Sequence, residues 1–379
     1  MKIEVSQAEL LHALQQTARA VPPSSPLPIL AGMVLRIHRE GITLLAGSSP
    51  MVIRTDIRIP MPGLPRETED NGLVVPARTF ADIVRKLPPG PVELERTDRS
   101  MLCIRAGSGL FRLCGTDGEE YPAAPEIGRP TLQLRLPNAV LKSMIRQVVF
   151  AVSASETRPI LTGVLCRSDG EQLKLVATDS VRFASTASRI EQPSDTPPFE
   201  AIVPGRCMAE LAKMLQDDHG ESRIDADESL IRFRTADMTL SCSLLHGSYP
   251  PIDKLVPARP SCELKVDTEK LLQAIERVTL LSGEGCVVFL HTVSAQSAAL
   301  VGQAAEVGDV REEVPIETLA GETMGVSFNG KYMTDILRAI AGGPLMLRFY
   351  DKLGPIAAEP EPAAGSSSLY LLTPIRTSR

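Results

Sequence analysis

The chain has 379 residues, of which 43% are hydrophobic and 23% charged, with no tryptophan and a formal net charge of −6 at pH 7. This length exceeds one ordinary hydrophobic core and predicts roughly two to four domains of a globular protein. No apolar run is long enough to span a bilayer and the start lacks a signal-peptide pattern, so a cytoplasmic protein without membrane contact is expected.

A pair of amphipathic helices recurs along the chain. In the first helix of each pair, aliphatic side chains line one face, and in the second they recur at i, i+3, i+4 and i+7. Corresponding positions are separated by about 125 to 131 residues. The six helices are predicted over 6–21, 76–88, 137–153, 204–216, 267–282 and 329–341.

Short sequence matches between the helices keep the same spacing. They pair LPILAG (27–32) with RPILTG (158–163), LLAGS (44–48) with LVATD (175–179), and Tyr121-Pro122 with Tyr249-Pro250. Several matches in one register are the signature of internal repeats. The sequence therefore predicts three tandem domains, 1–125, 126–250 and 251–379.

The segments between the helices have the character of β-strands. They are short, alternating or rich in β-branched residues, and bounded by Gly, Asp and Ser turn signals. Each repeat is thus predicted to be an α+β unit of two helices on an antiparallel sheet. Residues 357–368, AAEPEPAAGSSS, are the exception and are predicted to form a long mobile hairpin loop, with a linker as the alternative.

The seven cysteines and five histidines indicate neither disulfides nor a metal site. The sequence contains no C-x-x-C pair and no H-E-x-x-H motif. We expect reduced thiols packed as small apolar groups, no metal ligand and no cofactor.

Residues 176–184, VATDSVRFA, combine an acid, two hydroxyls and an arginine, as catalytic loops often do. Catalysis would need a base, a nucleophile and an oxyanion donor, yet no histidine is nearby and no G-x-S-x-G or P-loop motif occurs. We expect Asp179 to accept backbone N–H bonds or to pair with Arg182, and we predict no catalytic residue and no enzymatic activity.

Charge is distributed unevenly. The six predicted helices carry a net positive charge, so the rest of the chain is more acidic than the total of −6. Such helix faces are either ordinary solvated surfaces or one mildly positive side of the protein. A mild surface cannot bind DNA tightly through counterion release, but closure around the duplex would remove that requirement.

Six motifs, in this threefold arrangement, together resemble the bacterial sliding clamp, the beta subunit of DNA polymerase III, over essentially the whole chain. The resemblance implies a DNA polymerase processivity factor: a head-to-tail homodimer forming a closed ring, with helices around double-stranded DNA and sheets outside. Its DNA contacts would be independent of base sequence. The motifs are LPIL (27–30), SETRPILTGV (155–164), VATDSVRFA (176–184), GSYPPIDKLVP (247–257), FNGKYMTDIL (328–337) and LYLLTPIR (369–376).

The resemblance implies that basic side chains on the helices and one loop contact DNA. In the first domain, the family's loop near LPIL often carries a basic residue, where this chain has Ser24 and Ser25. The candidate contacts are Arg78, Arg85, Lys86, Lys142, Arg146, Arg158, Arg206, Lys213 and Lys331.

The resemblance also implies a hydrophobic pocket between the second and third domains. In the family it accepts short linear peptides from polymerases and the clamp loader, using apolar anchors and a few polar groups. The matching residues are Leu161, Thr178, Arg182, Phe183, Pro250, Lys254, Leu255, Asn329, Tyr332, Leu371, Leu372, Thr373, Pro374, Ile375 and Arg376.

The pocket rim departs from the family at three places. Val181 stands where the family usually has histidine, Pro251-Ile252-Asp253 replaces its usual sequence, and the final hairpin is longer. These differences leave open a specialised or inhibitor-resistant paralogous clamp.

For ring closure, the resemblance pairs Phe111 and Leu113 of one protomer's first domain with Leu280 and Leu281 of the other's third domain. This would be a small apolar core for a closed twofold ring. Fewer supporting ion pairs are predicted than in the family, so modest dimer stability is expected. A scaffold that binds partners without encircling DNA is the remaining alternative.

Overall fold

The chain divides into two compact units. The first comprises Met1–Ala139 with Lys213–Leu244, and the second Val140–Ala212 with Leu245–Arg379. The computed structural model describes residues 2–60, 72–97, 100–190, 198–217, 219–252, 255, 257, 259–340, 342–351, 354–362 and 365–376.

Six α-helices occur in the described part of the chain, each at a position that the apolar periodicity predicts. Polar side chains begin two of them: Asp267 accepts from the backbone N of Lys270 at 2.9 Å, and Asn329 from that of Tyr332 at 3.1 Å. The helices are α1 (Gln7–Thr17), α2 (Ala77–Lys86), α3 (Asn138–Val148), α4 (Gly205–Met214), α5 (Thr268–Thr279) and α6 (Gly330–Ile340).

Every strand pairing is antiparallel, as the short alternating segments predict. The strands are β1 (Lys2–Ser6), β2 (Gly32–His38), β3 (Gly41–Ser48), β4 (Met51–Arg58), β5 (Leu73–Pro76), β6 (Pro91–Arg96), β7 (Met101–Ala106), β8 (Gly109–Cys114), β9 (Thr116–Asp117), β10 (Leu132–Pro137), β11 (Gly163–Ser168), β12 (Gln172–Thr178), β13 (Arg182–Arg189), β14 (Phe199–Pro204), β15 (Glu221–Ala226), β16 (Leu230–Arg234), β17 (Met238–Ser243), β18 (Cys262–Asp267), β19 (Val287–Ser294), β20 (Ser297–Ala304), β21 (Gly308–Pro315), β22 (Thr318–Gly321), β23 (Gly325–Asn329), β24 (Pro344–Phe349), β25 (Ile356–Pro360) and β26 (Ser366–Leu372).

Each unit contains a four-stranded and a nine-stranded sheet. In the first unit the strand orders are β1-β6-β7-β8 and β10-β15-β16-β17-β4-β3-β2-β5-β9. In the second unit they are β21-β20-β19-β23 and β14-β11-β12-β13-β26-β25-β24-β18-β22. The second repeat therefore contributes strands to both nine-stranded sheets, extending one from the first repeat and one from the third.

The helices bury the apolar faces that the periodicity predicts. In α1, Leu10 and Leu14 are fully buried, and Thr17 joins the helix to β4 through a 3.0 Å hydrogen bond between its Oγ1 and that of Thr55. In α5, Leu271 and Ile275 are buried in the same way. The core of each unit thus lies between helices and one face of a sheet.

The prediction of a long loop over residues 357–368 is wrong. Ala357 to Pro360 belong to β25, and Ser366 to Ser368 belong to β26, where they pair with β13. Small alanines fit between neighbouring strands, and the serine backbone completes the β13 ladder. Composition suggested a loop, but strand pairing decides the conformation.

The described residues contain no helix long and apolar enough to cross a membrane. All seven cysteines are free; Cys114 is exposed and the other six are buried, which confirms thiol packing except at that position. Within the described ranges, no group of three or more His, Cys, Asp or Glu side chains could hold a metal ion.

Candidate functional site

The segment 176–184 forms the end of β12, a tight turn and the start of β13. In the turn, Asp179 Oδ1 accepts hydrogen bonds from the backbone N of Val181 and of Arg182, each at 2.9 Å. Ser180 has a positive φ of 79° and donates its backbone N to Thr178 Oγ1 at 3.2 Å. The acid therefore shapes the turn, as the sequence predicts.

Arg182 is the centre of a charged and aromatic cluster, the Arg182 cluster. Its side chain is 12% exposed and pairs with Asp179 Oδ2 at 3.0 Å and with Asp335 Oδ2 of α6 at 2.5 Å. The guanidinium also lies over the ring of Tyr332, 4.5 Å from its centre, and that of Phe150 at 5.3 Å. These contacts hold the β12–β13 turn against α6.

A second cluster, the Phe183 cluster, lies on the other face of the same sheet. Phe183 and Leu371 face each other across β13 and β26. Partly buried aromatic and aliphatic side chains, among them Tyr249 and Leu369, pack against it. Its buried members are Leu165, Val176, Phe183, Ile202, Ile252, Ala357 and Leu371.

Two large apolar side chains are exposed at the edge of the Phe183 cluster. Val181, at the tip of the turn, is 42% exposed and Leu255 is 40% exposed. Pro250 and Thr373 are also exposed. Exposed apolar side chains next to a buried apolar cluster indicate a place where a partner can bind.

The final residues of the described chain close this edge. The backbone N of Thr373 donates to the carbonyl of Val181 at 2.9 Å, and that of Ile375 donates to Ser327 at 2.7 Å. Pro374 and Ile375 are half-buried and Arg376 is exposed. The structure thus brings the C-terminal segment, the β12–β13 turn and the start of α6 together.

Two members of the predicted pocket are instead core residues. Leu372 is fully buried and opposes Arg182, so strand alternation places it on the opposite face from Leu371. Leu161 is 2% exposed in a short 3-10 turn, where its carbonyl accepts from Ser153 at 2.8 Å. Lys254 lies outside the described residues.

Sequence reasoning missed the partners of both clusters. Asp335 and Phe150 join Arg182 from distant parts of the chain, and Ile252 and Ala357 enter the Phe183 cluster. The spacing of Tyr332 and Asp335 by three residues on α6 is a signal that could have placed both on one face of the helix.

The repeated tyrosines perform the same task in both copies. Tyr249 Oη accepts from the backbone N of Thr178 at 3.1 Å, and Tyr121 Oη accepts from that of Gly47 at 2.9 Å. Burial raises the pKa of Tyr249 to about 12, against a smaller lowering by the hydrogen bond from Thr178. Burial raises the pKa of Tyr121 too. Each tyrosine is therefore neutral at ordinary pH, and its hydroxyl holds the strand end through this hydrogen bond.

Alkaline pH is expected to destabilise the fold through these tyrosines. An unfolded tyrosine ionises near pH 10 and folded Tyr249 near 12, so the free energy of unfolding falls by about 1.4 kcal/mol per pH unit per such group in this window. Urea titrations of the wild type and Tyr249→Phe between pH 9 and 12 measure how the free energy of unfolding changes with pH. The variant should lose stability less steeply, and parallel curves would contradict the assignment.

The candidate DNA contacts are exposed with one exception. Eight of the nine side chains face solvent, and Arg158 donates to Ser180 Oγ at 3.3 Å. Lys142 is 8% exposed and is engaged in interactions within the chain, so the structure does not offer its ammonium to a phosphate. Residues 141 and 142 both lie on the buried side of α3, so the prediction that Lys142 contacts DNA is wrong.

The candidate interface residues divide between exposed and buried positions. Phe111, on edge strand β8, is 39% exposed, and Leu280, just after α5, is 82% exposed. Leu281 is half-buried. Leu113 is only 8% exposed, since it opposes Leu102 and packs within its own unit. Leu113 can support Phe111, but it is not an exposed contact.

Comparison with known proteins places this geometry in a family. Models of the N-terminal, central and C-terminal domains of the DNA polymerase III beta subunit match residues 1–125, 135–251 and 253–375. The chain is 32% identical over 388 residues to the beta sliding clamp of Bacillus subtilis and 33% identical over 384 residues to that of Halalkalibacterium halodurans, with all of each chain covered.

Solved structures agree with the sequence comparisons. The crystal structure of the Bacillus subtilis DNA polymerase sliding clamp superposes with a TM-score of 0.91 at 31% identity, covering 100% of this chain and 99% of that one. A Pseudomonas aeruginosa sliding clamp bound to griselimycin, at 24% identity and a TM-score of 0.90, shares the fold. The chain, built of three clamp domains, belongs to the DNA polymerase III beta subunit family, the bacterial sliding clamps.

Proposed function

We propose that this protein is a processivity factor, a sliding clamp that closes as a head-to-tail homodimer around double-stranded DNA and tethers DNA polymerase to it. The observation that carries the proposal is the threefold repeat of paired helices bearing exposed basic side chains in a chain whose net charge is −6. A ring holds DNA by topology, so its inner surface needs only weak, sequence-independent phosphate contacts.

The exposed basic side chains on the helices and the loop at Arg158 would supply those phosphate contacts. Arg78, Arg85 and Lys86 belong to α2, and Arg85 is paired with Asp82 at 2.6 Å, so its charge is partly compensated. Weak contacts suit a protein that must slide. The remaining proposed contacts are Arg146, Arg206, Lys213 and Lys331.

The peptide site would lie at the edge of the Phe183 cluster. A peptide side chain inserted beside Phe183 and Leu371 would bury apolar surface, and Thr178, which opposes Phe183, would supply a polar group. Asn329 and Tyr332, at the start of α6 on the Arg182 side of the turn, are the other proposed polar and aromatic contacts. Linear segments of polymerases and of clamp-loader subunits are the proposed ligands. No catalytic step and no cofactor enter this function, and the domain limits are proposed near residues 125 and 250.

Ring topology can be tested directly. Protein loaded onto a nicked circular plasmid by a clamp loader should stay bound during gel filtration at high salt, because release requires the ring to open. Cutting the plasmid at one site should release it within the dead time of the column.

Two controls separate topology from ordinary binding. A linear plasmid of the same length should retain no protein at any stage. Equal retention on circular and linear DNA, or none on either with active loader, would favour a scaffold that does not encircle DNA.

A further inference from the structure

A cleft rich in arginine lies on the nine-stranded sheet of the first unit, apart from every site described above. Its volume is about 410 Å³. The strand register brings its polar residues together: Arg232 opposes Ser241, and Arg234 opposes Thr239, which in turn opposes Arg54. The lining residues are Leu45, Val52, Arg54, Ala124, Pro125, Glu126, Ile127, Arg232, Arg234, Thr239 and Ser241.

The cleft occupies the position that the Phe183 cluster occupies in the second unit. Val52 and Leu45 stand 131 residues before Phe183 and Val176, in the repeat register. On the neighbouring strands, Ser241 opposes Val52 as Leu371 opposes Phe183.

One strand further, the chemistry of the two sites diverges. Arg232 opposes Ser241 in the first unit, where Ala357 opposes Leu371 in the second. The repeat has therefore exchanged two apolar positions for a hydroxyl and a cation, while an apolar floor of Leu45 and Val52 remains. The same backbone frame thus offers a site of different polarity.

Positive charge in and beside the cleft is only partly compensated. Arg54 pairs with Asp56 at 2.9 Å, whereas Arg223 and Arg234 share the single carboxylate of Asp225. Burial raises the pKa of Asp225, but these two arginines lower it overall, so the carboxylate stays ionised.

Arg232 has only neutral partners in the described part of the chain. Its Nε donates to Ser241 Oγ at 3.3 Å and its Nη2 to the carbonyl of Pro125 at 3.2 Å. Nor does the Nε of Arg234 have a hydrogen-bond partner among the described residues. In and beside the cleft, four arginines thus lie close to two aspartates, and the exposed Glu126 is the one acid among the lining residues themselves. The local field favours an anionic ligand.

The cleft faces away from the proposed DNA surface. Thr55 of β4 bonds to Thr17 of α1, so the alternate residues Arg54 and Val52 point to the opposite side of the sheet. A duplex lying along the helices would not reach them. The apolar floor also suits a side chain better than a phosphate backbone.

We propose that this cleft is a second protein-binding site that takes an acidic peptide segment, with carboxylates on Arg232 and Arg54 and an aliphatic side chain on the floor of Leu45 and Val52. Guanidinium groups bind carboxylates with geometric specificity. The site is separate from the Phe183 cluster, so the two could hold different segments of partner proteins at once.

Fluorescence anisotropy with fluorescein-Glu-Asp-Leu-Asp-Glu-amide tests the proposal on the full-length protein. Arg232→Gln should weaken binding about tenfold, as expected for losing one charge-assisted contact, and Arg232→Lys should weaken it less because the charge remains. Thr239→Asp, which adds a negative charge to the lining without removing an arginine, should also weaken it. Circular dichroism melting curves check that each variant is folded.

Matched controls make the outcome decisive. Arg167→Gln removes an exposed, ion-paired arginine from β11 of the other unit and should bind like the wild type. The neutral peptide Gln-Asn-Leu-Asn-Gln-amide should not bind. Equal affinity of Arg232→Gln and Arg167→Gln, or competition by a DNA duplex but not by unlabelled acidic peptide, would overturn the proposal.

Discussion

Replacing Phe183 by alanine is expected to weaken binding of a polymerase clamp-binding peptide by about 30-fold or more, the effect of losing an interface hot spot. Phe183 is buried and opposes Leu371 in the Phe183 cluster, so truncation removes the surface on which a peptide side chain would rest. Isothermal titration calorimetry with a labelled or free peptide measures the loss.

Truncation of Phe183 also removes core packing, which costs about 3 to 5 kcal/mol for a buried phenylalanine. Thr373→Glu is the variant that avoids this difficulty. Thr373 is exposed and contributes its backbone N to Val181, so a new carboxylate at this edge obstructs the site without emptying the core. We expect loss of peptide binding with little change in melting temperature.

Thr318→Glu is the matched control for this experiment. Thr318 is exposed on β22 of the same unit and lies outside both clusters. It should bind peptide like the wild type. Unchanged binding by both Phe183→Ala and Thr373→Glu would place the peptide site elsewhere.

The repeat explains why so much of the fold can be predicted from sequence. Helix periodicity depends on local spacing, and three copies of one pattern reinforce one another, so all six helices are found where 3.6-residue recurrence indicates them. The paired tyrosines show the same benefit, because Tyr121 and Tyr249 bond equivalent strand ends. Local pattern and repeat register carry this information together.

What the sequence could not provide is contact between residues far apart in the chain. Arg182 and Asp335 are 153 residues apart, and only strand pairing and the position of α6 bring them to 2.5 Å. The face of Leu372 depends on the register of β26 against β13, and a shift of one residue would exchange it with Leu371. Composition likewise misassigned residues 357–368, because sheet pairing overrides their loop-like sequence.

Replacing Leu280 by aspartate is expected to break the ring into protomers. Leu280 is 82% exposed, a large apolar side chain left in solvent directly after α5, and Phe111 on edge strand β8 is its proposed contact on the partner. Burying a carboxylate among apolar groups without a partner costs several kcal/mol, so the dimer dissociation constant should rise about 100-fold or more. Sedimentation equilibrium measures that change.

Val293→Asp is the control for added charge at an exposed apolar position. Val293 is 44% exposed near the end of β19, outside the proposed interface, and its replacement should leave the dimer intact. Since a protomer cannot enclose DNA, Leu280→Asp should also lose retention on nicked circular plasmid while still binding the clamp-binding peptide, because all residues of the proposed peptide site belong to one chain. Retention of Leu280→Asp on the circle at wild-type levels would mean that this leucine does not close the ring. Loss of peptide binding together with dimerisation would instead tie the pocket to the partner protomer.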